Sequence, residues 1–252
     1  MKYLKFILLL TATQFILGCK KDKNLNVTQI TSSLTVINAV PGSSPLATNF
    51  STNYTLTSYY KNALRINYGT FSSSYEFGSH SGTTPLELYQ YPDTLSSSTP
   101  LYKLSLNLGS GSIHTLFLTG LLSSPDTLFT TDHPRYHSSS DSTMGVRFVN
   151  LSPGSNPVSV DIQGKANGSE VSSLAYKGIT GFKNYVTNST VSSYTFEFKD
   201  AATGTLLGIF TMNGINNGTN GDTQDNAYRF RNFTIAFYDV PGNQNTFLIN
   251  NY

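Results

Sequence analysis

The stretch "VINAVPGSSP", Val36 to Pro45, is written a second time as "FVNLSPGSNP", Phe148 to Pro157. Asn38 aligns with Asn150, Pro41 with Pro153, Gly42 with Gly154, Ser43 with Ser155 and Pro45 with Pro157. Self-similarity at a fixed offset marks a duplicated unit. The offset of roughly a hundred residues is the size of one β-sandwich and too long for a solenoid repeat. The chain is therefore expected to fold as two related halves.

The phrase itself is local physics. "LTVINA" and "VRFVNL" are β-branched and apolar enough to be strands. Pro-Gly suits the two central positions of a type II turn, where proline presets the first φ and glycine accepts a positive second φ. Asn at the strand end can bond nearby backbone and fix the turn. Pro45 and Pro157 stop the ladder. A turn accounts for every residue of the motif, and a ligand is not required.

Period-two alternation continues on either side. Leu64, Ile66 and Tyr68 alternate, as do Leu86 and Leu88, then Tyr102, Leu104, Leu106 and Leu108, then Leu116 and Leu118. The second half repeats this with Val158, Val160 and Ile162, with Tyr194, Phe196 and Phe198, and with Phe233, Ile235 and Phe237. "LLGIFTM" adds one more strand. No stretch keeps a 3.6-residue period over a helical length. Short alternating strands between Gly, Asn, Ser and Asp turns predict an all-β chain of two tandem, Ig-like antiparallel β-sandwiches.

The residues "VRFVNLSPGSNPVSVDIQGK", "LAYKGITGF" and "SSYTFEFKD" resemble the domain of unknown function family 4397. "LTVINAVPGSSPLATNF" and "LRINYGTFSSSYEF" resemble it less closely, because "LATNFSTNYTL" stands where the family has a "vdvyvdG" strand. The resemblance implies tandem Ig-like domains on exported, often anchored proteins of Bacteroidetes type. It supplies no activity and no catalytic residues.

The beginning of the chain gives an address. Lys2 and Lys5 precede a mostly apolar stretch, Phe6 to Leu17, whose dozen or so residues suit a signal peptide and fall short of a bilayer-spanning helix. It ends in Leu17-Gly18-Cys19, which resembles a lipoprotein lipobox, and Cys19 is the only cysteine in the chain. In such proteins the cysteine is acylated, and two or more acyl chains anchor a protein stably. The expected organisation is signal peptide 1–18, polar tether 19–33, first sandwich 34–131, linker 132–143 and second sandwich 144–252. Lys20 stands where some lipoproteins carry an inner-membrane aspartate, so the expected location is the outer membrane, with either leaflet open.

Composition narrows the partners. With no second cysteine there is no disulfide, so the fold must rest on burial. Charged residues are 12 % of the chain, against roughly 25 % in typical soluble domains. The formal charge of +2 includes Lys2 and Lys5, so the processed chain is near neutral and offers no electrostatic case for nucleic acid.

Motifs for chemistry are thin. "GSHSG", Gly78 to Gly82, has His80 where a hydrolase elbow needs serine, and no helical pattern follows. "GSGSIH", Gly109 to His114, leads into a strand and reads as a hairpin turn. "DHPRYH" gathers Asp132, His133 and His137, residue types that bind zinc, but Pro134 interrupts any helix across them. "NNGTNGDTQDN", Asn216 to Asn226, is rich in oxygen ligands yet lacks the order of a calcium loop. No catalytic residue, metal site or cofactor is assigned. Tyr59, Tyr60, Tyr89, Tyr91 and Tyr102 remain, because tyrosines on one exposed face could stack on sugar rings, although they also fill cores. Two functions fit the sequence: a non-enzymatic, lipid-anchored envelope protein presenting its sandwiches to a protein or polymer, and a glycan-binding accessory lipoprotein of an uptake system.

Overall fold

A computed structural model of the protein describes residues 31–51, 63–93, 97–138, 140–218 and 225–251. Cys19, Tyr59 and Tyr60 lie outside them. The first half contains β1 (Thr31–Asn38), β2 (Leu46–Asn49), β3 (Arg65–Ile66), β4 (Glu76–His80), β5 (Gly82–Gln90), β6 (Tyr102–Leu108), β7 (Ile113–Leu121) and β8 (Ser124–Asp132). The second contains β9 (Thr143–Asn150), β10 (Val158–Ile162), β11 (Val171–Leu174), β12 (Lys183–Val186), β13 (Ser193–Asp200), β14 (Leu206–Asn213), β15 (Asn232–Tyr238) and β16 (Asn245–Asn251). Among the described residues there is no α-helix.

The strands form four sheets. In the first half their orders are β4-β1-β7-β8 and β3-β2-β5-β6; in the second they are β12-β9-β15-β16 and β11-β10-β13-β14. Strand for strand, the second half repeats the first. Each half is a sandwich with its own apolar filling. Leu34, Val36, Leu86, Leu88, Leu116 and Leu118 meet in one, and Phe148, Val158, Val160, Phe196, Phe198 and Phe233 in the other.

The ladders are not antiparallel throughout. β1 pairs with β7 in parallel, and β9 with β15. Parallel neighbours need a long crossover, and here the five strands between them, four belonging to the opposite sheet, supply it. Nor does β1 wait for residue 34. It begins at Thr31, where Ser32 Oγ donates to Gly109 O at 2.7 Å and Ser33 N to Ser112 O at 3.0 Å.

A third apolar layer lies between the sandwiches. Ile37, Phe117, Val149, Leu151, Ala236 and Ile249 form it, all fully buried. The inner sheets are thus covered on both faces, so β9 and β15 read as unbroken buried runs rather than alternating ones. Thr119 Oγ1, near the end of β7, donates to Leu151 O just past β9 at 2.9 Å. Tyr68 and Tyr238 meet edge to face at 5.4 Å. β1 therefore lies against β15 and β7 against β9, as in a self-complementary two-fold pair. Gly69 sits in this seam at φ +63°, and a Cβ there would fall 2.6 Å from Tyr238 Oη.

The repeated phrase closes the same turn twice. Ser43 N donates to Val40 O at 3.1 Å and Ser155 N to Ser152 O at 3.2 Å, with Gly42 at φ 74° and Gly154 at φ 80°. These are the type II turns that the sequence predicts. A third, Val240 to Asn243, was not signalled by the repeat. Asn38 Nδ2 donates to Ser43 Oγ and Ile66 O, and its Oδ1 accepts from Val40 N. Asn150 does the same with Ser155, Leu174 and Ser152. The asparagines tie each inner sheet to its outer sheet.

Candidate functional site

A cluster of buried polar side chains lies between the sandwiches, among them Thr115, Asp132, Arg147, Thr234 and Asn251. Arg147 points from β9 into the seam, where its Nη1 is 2.8 Å from Asp132 Oδ1 and its Nε donates to Thr234 Oγ1 at 2.7 Å. Its guanidinium carbon lies 4.6 Å from the Phe182 ring centroid. Asp132, at the end of β8, also accepts from Thr115 Oγ1 at 2.5 Å and Thr130 Oγ1 at 2.9 Å. Thr234 Oγ1 in turn donates to Asn251 Oδ1 at 2.5 Å. Low dielectric makes each satisfied bond of such a network strong; Arg147 Nη2 is buried without a hydrogen-bond partner among the described residues. A lone arginine inside "MGVRFVN" was the sequence signal for a buried partner.

The duplication places equivalents around this group. The β1–β7 register pairs Thr35 with Thr115, and the β9–β15 register pairs Arg147 with Thr234. Ile113 pairs with Asp132 as Asn232 pairs with Asn251. Thr115 thus corresponds to Thr234, Asp132 to Asn251, and Thr35 to Arg147. The symmetry breaks at the charged pair.

The tyrosine candidates do not assemble into one open platform among the described residues. Tyr89 is 4 % exposed, packed on Ala47 and Ala63, and its hydroxyl donates to Glu87 Oε2 at 2.7 Å. That bond holds the Glu87 carboxyl below its ordinary value, against the effect of burial and with help from Lys103 at 3.2 Å. Tyr91 is half-buried, with the Arg65 guanidinium carbon 3.6 Å from its ring centroid. Tyr102 is buried and donates to Thr119 O at 2.7 Å.

The remaining motifs serve the fold. His80 ends β4 at the tip of the β4–β5 hairpin. Ser112 Oγ is 2.7 Å from His114 Nε2, but that nitrogen also accepts from Gly109 N, and Nδ1 faces Thr130 O and Thr131 Oγ1 at 3.3 Å. Among the described residues no carboxylate orients the ring, which stacks on Phe129. Asp132 turns inward to Arg147, while His133 is exposed. His137 is held at 3.2 Å by both Asp141 and Thr143. Among the described residues no three His, Cys, Asp or Glu converge on one point. In the polar loop before β15, Asn226 caps the backbone of Tyr228 and Arg229.

Clefts open at three places among the described residues. One of about 660 Å³ opens beside Thr31, Phe50, Phe77, His80 and Pro85. Another, of about 390 Å³, lies between the Pro153–Gly154 and Pro241–Gly242 turns and includes Asn156, Asp200 and Gln244. Those polar groups bond one another or nearby backbone: Asn156 Nδ2 donates to Asp200 Oδ2, and Gln244 Oε1 accepts from Gly242 N. The third, of about 280 Å³, lies in the seam and is lined by Phe71, Ser73, Glu76, Arg231, Asn232 and Asn250.

No protein-family model matches the chain, and no curated protein matches it. Among solved structures, the chain is similar to a family 41 carbohydrate-binding module from streptococcal virulence factors, described for α-glucan recognition. The identity is 9 %, the coverage 86 % of this chain and 96 % of that one, and the TM-score 0.26. A likeness that slight carries no argument about ligand.

Proposed function

We propose that the protein is a non-enzymatic, lipid-anchored component of a bacterial cell envelope that presents two joined β-sandwiches to a protein or polymer partner. The observation that carries this reading is the Leu17-Gly18-Cys19 sequence, with the chain's sole cysteine at the end of an apolar stretch. Acylation there would give two or more chains, each buried methylene contributing about 0.8 kcal/mol. The rest of the chain supports the reading by what its polar groups are used for. Arg147, Asp132, His114 and the Asn38 and Asn150 amides are all engaged in holding sheets together. A rigid two-sandwich body on a tether is suited to display rather than to turnover.

The test is membrane fractionation with metabolic labelling by a fatty acid. The wild-type chain should carry label and sediment with membranes. Cys19→Ser should lose the label and leave the membrane fraction. Equal labelling and sedimentation of the two would overturn the reading. Retention of the protein on an immobilised polysaccharide, lost on changing Tyr91, would identify the polymer partner as a glycan.

A further inference from the structure

The two-fold relation between the halves makes a comparison that neither half makes alone. On one flank of the seam, Arg147 fills the space between β9 and the facing sheet. It bonds Thr234 and Asp132 and lies over Phe182. On the other flank the equivalent of Arg147 is Thr35, with Thr115 beside it in the ladder. The equivalent of Phe182 is Glu76: Thr35 pairs with Glu76, whereas the β12–β9 register, with Lys183 opposite Val146, puts Phe182 next to Arg147. The 280 Å³ cleft opens on this second flank. Thr35 itself is buried, and Glu76, its neighbour in the ladder and the equivalent of the Phe182 that underlies Arg147, stands on the wall of this cleft.

We propose that this cleft binds the guanidinium group of an arginine ligand, with Glu76 as its counter-ion. A guanidinium is planar, weakly hydrated and suited to paired hydrogen bonds with a carboxylate. Among the described residues Glu76 has no ion-pair partner within 4 Å. Burial raises its carboxyl above the ordinary value, and a cation in the cleft would reverse that. Asn250 supplies a further amide on the wall, and Phe71 an apolar surface for the flat face of the group. Arg231 lines the same cleft, which favours a ligand carrying a carboxylate as well as a guanidinium: free arginine or a C-terminal arginine. This inference does not depend on lipid anchoring.

Ligand-observed saturation-transfer NMR on the full chain tests it, with L-arginine, agmatine and L-citrulline as probes. L-Arginine should bind saturably, with a Kd on the order of 1 mM or tighter. L-Citrulline, which lacks the charge, should not bind. Glu76→Gln should weaken arginine about tenfold or more, the loss expected for a bond to a charged group. Thr35→Arg should lay a guanidinium over Glu76, as Arg147 lies over Phe182, and abolish binding, with a melting curve confirming that the variant folds. Arg231→Gln should weaken arginine and leave agmatine unchanged. Unsaturable arginine binding, or wild-type affinity in Glu76→Gln, would overturn the proposal. Agmatine binding as tightly as arginine in the wild type would remove the carboxylate from it.

Discussion

Arg147 Nη1 and Asp132 Oδ1 stand 2.8 Å apart across the seam between the sandwiches, with side chains only 5 % and 1 % exposed. Breaking such a pair leaves a buried charge without its partner, at a cost of about 3–5 kcal/mol. Asp132→Asn should therefore destabilise the protein by that order in urea unfolding. Combining it with Arg147→Thr recreates the Thr and Asn found at the equivalent positions Thr35 and Asn251. The double variant should be more stable than the sum of the single losses implies. A double-mutant cycle with no coupling would show that the pair does not act as a unit.

The shared layer makes a statement about cooperativity. Phe117 is fully buried among Ile37, Val149 and Ala236 from both halves. Phe117→Ala should cost about 3–5 kcal/mol. Because each half covers the other's inner sheet, the wild-type protein should melt in one transition, with calorimetric and van't Hoff enthalpies equal. Two resolved transitions in the wild type would mean that the seam contributes little.

Asn38 and Asn150 offer a paired experiment. Each amide bonds a serine hydroxyl in its turn and a carbonyl in a neighbouring outer strand or its flank, Ile66 O or Leu174 O. Removing either leaves buried backbone groups unsatisfied, so Asn38→Ala and Asn150→Ala should each cost about 1–3 kcal/mol. Asn→Ser should recover little, since a hydroxyl cannot reach both partners. Denaturant midpoints near wild type for both alanine variants would contradict the equivalence of the two sites.

Much of this was legible in the residues, for a physical reason. Strands buried on one face alternate, and β6 and β13 carry that alternation in Tyr102 to Leu108 and in Phe196 and Phe198. The sixteen strands among the described residues nevertheless include several without such a signal. β8, "SPDTLFTTD", lies at a sheet edge with a mixed burial pattern, so its threonines read as loop. β4, "EFGSH", and β16, "NTFLINN", are edge strands of the same kind. The ends of Asp132 and Arg147 meet across fifteen residues of chain and two sandwiches, a juxtaposition that no local spacing encodes. The register of the duplicated phrase did align Thr35 with Arg147.

Acid titration should separate two glutamates by sign. Glu87 is held below its ordinary value, 4.5, by the Tyr89 hydroxyl and by Lys103. A depressed folded value means stability that is present above 4.5 and lost as pH falls through the folded value. Glu87→Gln should thus lower the melting temperature at pH 7, by about 1–3 °C for a partly exposed interaction, and leave it unchanged well below pH 4. Glu76 is shifted upward by burial. Its folded state prefers the neutral acid, so stability is full below 4.5 and falls as pH rises through the folded value. Glu76→Gln should raise the melting temperature at pH 7 and have no effect in acid, the reverse of Glu87→Gln. Melting curves of the two variants and the wild type between pH 3 and pH 8 decide the matter. Two variants shifting in the same direction at pH 7 would show that Glu76 is stabilised by a partner and is not held in reserve for a ligand.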